Sequence, residues 1–233
     1  MNDQQRMSIA VNALFTHDMR GRMVRVNEPE GEPAARFFLG RTRAGHVWRF
    51  RFDVSDHAAG ALEALCQREP VVAGALGELP TQFAAMQRVL LEDAPINRVY
   101  AGPEYIFPER ISHPAGVIAQ RMTHAHHGSL VPHFRWAIAL LDAVPVWAVV
   151  QDGIAVSVCF SSRTTPMADE AGVETVATHR GKGYAPAVVA AWATSVREMG
   201  RMPLYGTTWN NLASQRIAQK LNLIQFGAVL HME

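Results

Sequence analysis

The sequence predicts a mixed α/β chain with an α+β N-terminal half, on three observations. An apolar, β-prone run from Gly172 to Ala177 passes through a glycine-rich turn into a helical pattern that puts Val188, Val189, Trp192, Val196 and Met199 on one face. Asp152-Gly153 stands between two runs rich in β-branched residues, a strong hairpin signal. The first half alternates strand-like and helix-like stretches without a repeat. At 233 residues, 48% hydrophobic and 18% charged, the chain has an ordinary globular composition and room for one large domain or two small ones.

From the N-terminus, Ala35 to Thr42 and His46 to Val54 form an expected hairpin with Gly45 in its turn. Its second strand alternates Val47, Arg49 and Arg51 with Trp48, Phe50 and Phe52. Asp56 to Gln67 reads as a helix capped by Ser55 or Asp56. Pro80 to Glu92 reads as a second helix, with Phe83, Met86, Val89 and Leu90 inward. Val99 to Phe107 reads as a strand interrupted at Gly102-Pro103, and Pro108 to Ser129 as a linker. The division expected is a subdomain over 1–125 and a second domain over 126–233.

The second domain opens with a helix from Leu130 or Pro132 to Leu141, then the hairpin Val146–Val150 and Ile154–Phe160. Polar Ser161 to Glu170, with Pro166, reads as a loop. The helix after the glycine-rich turn stops at Gly200. Met202 to Trp209 is β-prone, and Asn210 to Leu221 is a helix with Ala213, Ile217 and Leu221 on one face. Gln225 to His231 closes the chain as an apolar strand.

Strand, glycine-rich turn and helix together offer bare backbone N–H groups and the positive end of a helix to a phosphate. The run Thr178-His179-Arg180-Gly181-Lys182-Gly183-Tyr184-Ala185-Pro186 is not a P-loop, which needs G-x-x-x-x-G-K-S/T. A dinucleotide fingerprint would need Gly or Ala where Pro186 stands, and an acidic residue at the end of the next strand. The segment Arg180-Gly181-Lys182-Gly183-Tyr184-Ala185 instead resembles the acyl-coenzyme A signature R/Q-x-x-G-x-G/A of the GNAT superfamily of N-acetyltransferases. The strand and N-x-x-A/S helix from Met202 to Leu221 resemble the second GNAT motif, in the right order. Asn222 replaces the usual helix-ending glycine there, and asparagine tolerates the left-handed conformation required. The resemblance covers roughly Leu130 to Glu233.

The resemblance implies a mixed, mostly antiparallel central sheet with flanking helices, and acetyl-CoA as co-substrate with no metal. It implies that a backbone N–H near Thr175 or Val176 holds the thioester carbonyl. The N–H groups of Gly181, Lys182, Gly183, Tyr184 and Ala185 would cradle the pyrophosphate, with Arg180 and Lys182 adding charge. Asn211 matches the motif asparagine that contacts the pantetheine arm, and Ser214 lies one turn further on. GNAT enzymes often place a tyrosine seven residues after that asparagine as general acid; here the position is Ala218. Tyr205 on the preceding strand is the alternative donor. Glu174 is the candidate general base, because a carboxylate inside an apolar strand is costly to bury without a role; the alternative is that it points to solvent or pairs with an arginine. His179 adjoins the turn, with a bystander role expected.

Net charge of +1 gives no global field for nucleic acid, which argues against a tRNA-directed acyltransferase. No run of 18 apolar residues is present, the N-terminus lacks a secretory pattern, and a cytoplasmic location is expected. Cys66 and Cys159 are expected as buried thiols. His124, His126 and His127 lack a second ligand cluster at zinc spacing, so no metal site is expected. The reading is an acetyl-CoA-dependent N-acetyltransferase acting on a small-molecule or peptide amine, with a homodimer allowed and no membrane or nucleic-acid partner. The competing reading is a non-catalytic acyl-CoA-binding sensor.

Overall fold

A computed structural model describes residues 1–71 and 76–233. The chain divides into two compact units, one of residues 1–105, 206–212 and 225–233, the other of 106–205 and 213–224.

The first unit begins with α1 (Asp3–Leu14), closed at its start by a reciprocal cap in which Asn2 accepts from the Gln5 N–H and Gln5 from the Asn2 N–H. A short ribbon, β1 (Phe15–His17) with β2 (Met23–Val26), follows. The expected hairpin is β3 (Phe37–Thr42) and β4 (Gly45–Phe50), antiparallel. α2 (Asp56–Arg68) is capped by the Ser55 hydroxyl, and α3 (Phe83–Asp93) buries Met86 and Leu90 as the pattern requires. β5 (Val99–Ile106) and the C-terminal β11 (Ile224–Met232) complete a sheet in the order β4-β3-β11-β5. Phe37, Leu39, Phe50, Leu230 and Met232 face α2 and α3. The opposite face carries Gly40, where a Cβ would strike the Met7 side chain of α1. Because helices cover both faces, every residue of β3 is buried, and hydrophobic alternation is lost there.

β5 runs without a break through Gly102-Pro103, against expectation. Thr207 N–H donates to the Pro103 carbonyl at 3.3 Å and Trp209 N–H to Ala101 at 3.1 Å. The crossing backbone leaves no space for a Cβ at 102, so this glycine marks a close approach rather than a turn.

The second unit holds β6 (Gln120–Arg121), α4 (His127–Phe134), β7 (Val146–Gln151), β8 (Ile154–Thr164), β9 (Ala168–Thr175), α5 (Tyr184–Glu198), β10 (Met202–Gly206) and α6 (Leu212–Lys220). Its strands run β10-β9-β8-β7-β6, with β9 and β10 parallel and the rest antiparallel. The class expected, mixed α/β with mostly antiparallel pairing and flanking helices, is what forms. α5 buries Val188, Val189, Trp192 and Val196 against β7, β8 and β9, but Met199 is exposed. α4 and a 3-10 stretch from Arg135 to Leu140 cover the other face with Leu130, Phe134 and Ala137. The expected helix to Leu141 therefore starts three residues earlier than Leu130 and tightens after Phe134. The expected linker contains β6 and the first turn of α4.

Ser161 to Glu170 is not a loop. β8 and β9 extend to Thr164 and from Ala168, leaving a connection of Thr165, Pro166 and Met167. The polar residues that mimicked a loop satisfy one another inside. Asp169, fully buried, accepts from Ser161 at 2.6 Å, Thr164 at 2.7 Å and Arg201 at 3.2 Å, while Trp192 Nε1 donates to Ser161 Oγ at 3.0 Å.

Candidate coenzyme site

The glycine-rich turn leaves β9 through a short 3-10 segment, Ala177–His179. Gly181 and Gly183 both have positive φ, +79° and +83°, and a Cβ on either would meet nothing within 4 Å. The glycines are thus required by backbone conformation, and open space lies before them. Gly183 caps α5 with no side-chain hydrogen bond, and among the described residues no side chain bonds the first N–H groups at Tyr184 and Ala185. Pro186 sits third in the helix, where its ring removes one orphan donor. Arg180 and Lys182 are exposed, and Arg180 Nε donates to the Thr175 carbonyl at 3.3 Å, tying the turn to the end of β9. His179 stacks on Tyr184 with ring centroids 6.4 Å apart.

β9 provides the second half of the site. Its parallel register with β10 covers only Ala168, Asp169 and Glu170, although β9 continues to Thr175. On its other edge it stays paired to β8 through Thr175, and Val176 N–H donates to the Val156 carbonyl at 2.9 Å. N–H direction alternates along a strand, so the Val173 and Thr175 N–H groups point away from β8, into the region where β10 no longer pairs. Of the two donors expected for the acyl carbonyl, Val176 is spent on the sheet; Thr175 keeps the right direction. The Val173 N–H shares that direction, which strand alternation would have signalled.

Of the two settings open to Glu174, the structure has the exposed one. Its side chain is exposed at the surface of β9. The apolar neighbours that made it look buried alternate to the other face or belong to the ladder with β8. Tyr205 is 1% exposed and its hydroxyl lies 2.8 Å from Ser214 Oγ and donates to the Ser214 carbonyl at 3.3 Å. The structure thus joins two of the expected residues, inside the unit rather than at an open cleft. Ala218 is 1% exposed and faces the core from α6. Asn211 is exposed just before α6, its N–H donating to the Thr208 carbonyl at 3.1 Å. Asn222 takes the left-handed conformation, φ +52°, and ends α6 with bonds from Asn222 N–H to Gln219 and from Leu223 N–H to Ala218.

Residues 146–226 match the family model for the GNAT acetyltransferase domain. The likeness to the GNAT superfamily lies in this stretch of the chain. A GCN5-related N-acetyltransferase from Kribbella flavida is 16% identical, covering 100% of this chain and 95% of that one, with a TM-score of 0.51, and so shares the GNAT fold. A GNAT-family structure from Novosphingobium aromaticivorans is 14% identical over 59% of this chain and 66% of that one, with a TM-score of 0.46. An aminoglycoside N-acetyltransferase solved in complex with CoA is 18% identical over 47% of this chain and 92% of that one, with a TM-score of 0.37. No curated protein matches the chain.

The GNAT match ends at Phe226 and begins at β7, so the turn, β9, β10 and α6 all fall within it. The remaining candidates lie elsewhere. His124 Nε2 pairs with Asp142 Oδ1 at 2.9 Å, and His126 Nδ1 accepts from the Thr123 N–H as part of a reciprocal cap. Among the described residues no group of His, Cys, Asp or Glu is arranged to hold a metal ion, and no helix is long and apolar enough to cross a membrane. Cys66 and Cys159 are free and buried; burial pushes the Cys66 thiol up to about 12 and raises that of Cys159 as well.

Proposed function

We propose that the chain is an acetyl-CoA-dependent N-acetyltransferase that acetylates a primary amine of a small molecule or peptide by direct attack, with residues 126–233 as the acetyltransferase domain. The observation that carries this is the open, uncapped turn at Gly181 and Gly183, set beside the stretch of β9 where pairing with β10 stops. The positive φ of both glycines and the vacant space at their Cβ positions suit a pyrophosphate laid on the start of α5. Gly181, Lys182, Gly183, Tyr184 and Ala185 would donate N–H groups, with Arg180 and Lys182 adding charge. The outward N–H groups of Val173 and Thr175 suit the acyl carbonyl and amide arm, and Asn211 and Ser214 are proposed contacts to the arm.

Acetyl-CoA supplies a thioester acyl group activated toward amines. Glu174 takes the proton that an ammonium acceptor must lose before it can attack, directly or through water; its exposure permits the exchange with solvent. The N–H groups of β9 polarise the carbonyl under attack. At position 218 no hydroxyl is present to hand a proton to the thiolate released as the C–S bond breaks, and at an open strand edge solvent supplies it. Tyr205 is weakened as a donor by its burial against Ser214. A cytoplasmic location is proposed with this activity.

The same observation on Ala218 and Tyr205 favours a second reading, an acyl-CoA-binding module without catalysis. Both readings require CoA binding, and turnover separates them. The enzyme reading expects acetylation of members of a primary-amine panel, and Glu174→Gln lowering turnover by about tenfold or more while CoA affinity holds, since one proton-transfer group contributes on the order of 10²–10⁴-fold. CoA binding with no acetylation of any amine would leave the module reading; unchanged turnover in Glu174→Gln would remove Glu174 from the mechanism.

A further inference from the structure

The face of β8 and β9 opposite α5 carries, beside Glu174, an aromatic pair that the proposed acyl transfer does not use. Val158 and Glu174 are direct partners across the two strands, and Val158 belongs to the core under α4. Direct antiparallel partners point to the same face, so Glu174 projects on the α4 side. Phe160 and Gly172 are the next such pair. A Cβ on Gly172 would stand 2.5, 2.8 and 2.9 Å from three atoms of the Phe160 ring, so the ring tip lies over bare β9 backbone. The Trp136 indole meets that ring edge-on, centroids 4.7 Å apart at 65°, and is itself 41% exposed. Glu174 follows Gly172 by two positions, about 7 Å along the strand.

The charges on this face are uneven. Glu170 is held by Arg163, whereas the Glu174 carboxylate forms no ion pair or hydrogen bond among the described residues; only its backbone carbonyl accepts, from Ser157 Oγ. An uncompensated carboxylate therefore stands beside an aromatic wall with an exposed indole, on the part of β9 that has left β10.

We infer that the acceptor is a cationic primary amine with an apolar body, its ammonium drawn to Glu174 and its body laid on Trp136. The inference rests on the amine-acetylation reading and adds the substrate class. The carboxylate attracts an ammonium and repels an acceptor that carries its own carboxylate. The indole offers apolar area and, toward a cation, the negative face of its ring. Phe160 is a positioning residue that backs the indole, and glycine at 172 is what lets its ring lie across the strand.

The test uses the full chain with phenethylamine, ethanolamine and phenylalanine as acceptors. With acetyl-CoA saturating, kcat/KM for phenethylamine should exceed that for the other two by about tenfold or more, the scale of burying a few CH₂ groups or opposing one carboxylate. Trp136→Ala should collapse the phenethylamine-to-ethanolamine ratio; Gly172→Ala, which displaces Phe160, should lower it as well and serves if the first variant does not fold. Equal use of the three amines, or a ratio that neither variant changes, overturns the inference. Calorimetric titration of phenethylamine in the presence of CoA decides it independently of turnover. If no amine is acetylated, the transfer reading fails, yet phenethylamine binding that Trp136→Ala weakens about fivefold upholds the aromatic–carboxylate site. Absent binding, or binding indifferent to Trp136, overturns it.

Discussion

Replacing Gly183 with alanine separates the backbone demands of the turn from its role toward a ligand. Gly183 holds φ +83° at the cap of α5, and a Cβ there touches nothing. The whole cost is therefore conformational, about 1–2 kcal/mol for a left-handed alanine. For a chain of this length that corresponds to a fall in Tm of about 2–8 °C. The chain contains its own control. Gly153 holds φ +80° in the β7–β8 turn, also with nothing near its Cβ, and Gly153→Ala carries the same strain away from the turn. Calorimetric titration with CoA then reads the difference. Gly183→Ala puts a methyl group before the Tyr184 and Ala185 N–H groups and should weaken CoA by about tenfold, or 1.4 kcal/mol, beyond any effect of Gly153→Ala. Equal CoA affinity in the two variants, with equal losses of Tm, would refute the assignment of this turn to the pyrophosphate.

Other outcomes follow from the same physics. Both thiols should resist a thiol-reactive dye in the native protein at pH 8 and react together only on unfolding, because burial holds the Cys66 thiol at about 12 and raises that of Cys159; labelling of either in the folded chain would contradict its burial. His17 has its pKa lowered by burial first and then by Arg49. The unfolded chain then binds a proton that the native chain refuses, so stability is full above the unfolded value of 6.5 and falls as pH drops below it. His17→Gln should flatten that acid limb in denaturant titrations between pH 7 and 5. Asp169→Asn places an amide against the donors Ser161, Thr164 and Arg201 and should cost about 3 kcal/mol, read by chemical denaturation; a loss below about 1 kcal/mol would mean the network contributes little.

The local elements were legible because local chemistry dictates them. Asp152 and Gly153 both take positive φ, as the two-residue hairpin demands, and Ser55 caps α2 through its hydroxyl. The coenzyme turn was legible for the same reason, since its glycines answer a backbone requirement. What misled was polarity. Ser161 to Glu170 looked like a loop because its side chains are polar, yet they pair across the hairpin and with α5 and Arg201. Glu174 looked buried because its neighbours are apolar, yet near the end of β9 its side chain is exposed even on the face that buries its cross-strand partner Val158.

By itself the sequence determined the hairpins, helices, caps and the phosphate-type turn, since each depends on residues a few positions apart. Tertiary structure alone decided where β9 leaves β10, which N–H groups that departure exposes, and that Trp136, Phe160 and Glu174 share one face. Those facts depend on pairing and packing between segments far apart in the chain, and no local spacing encodes them.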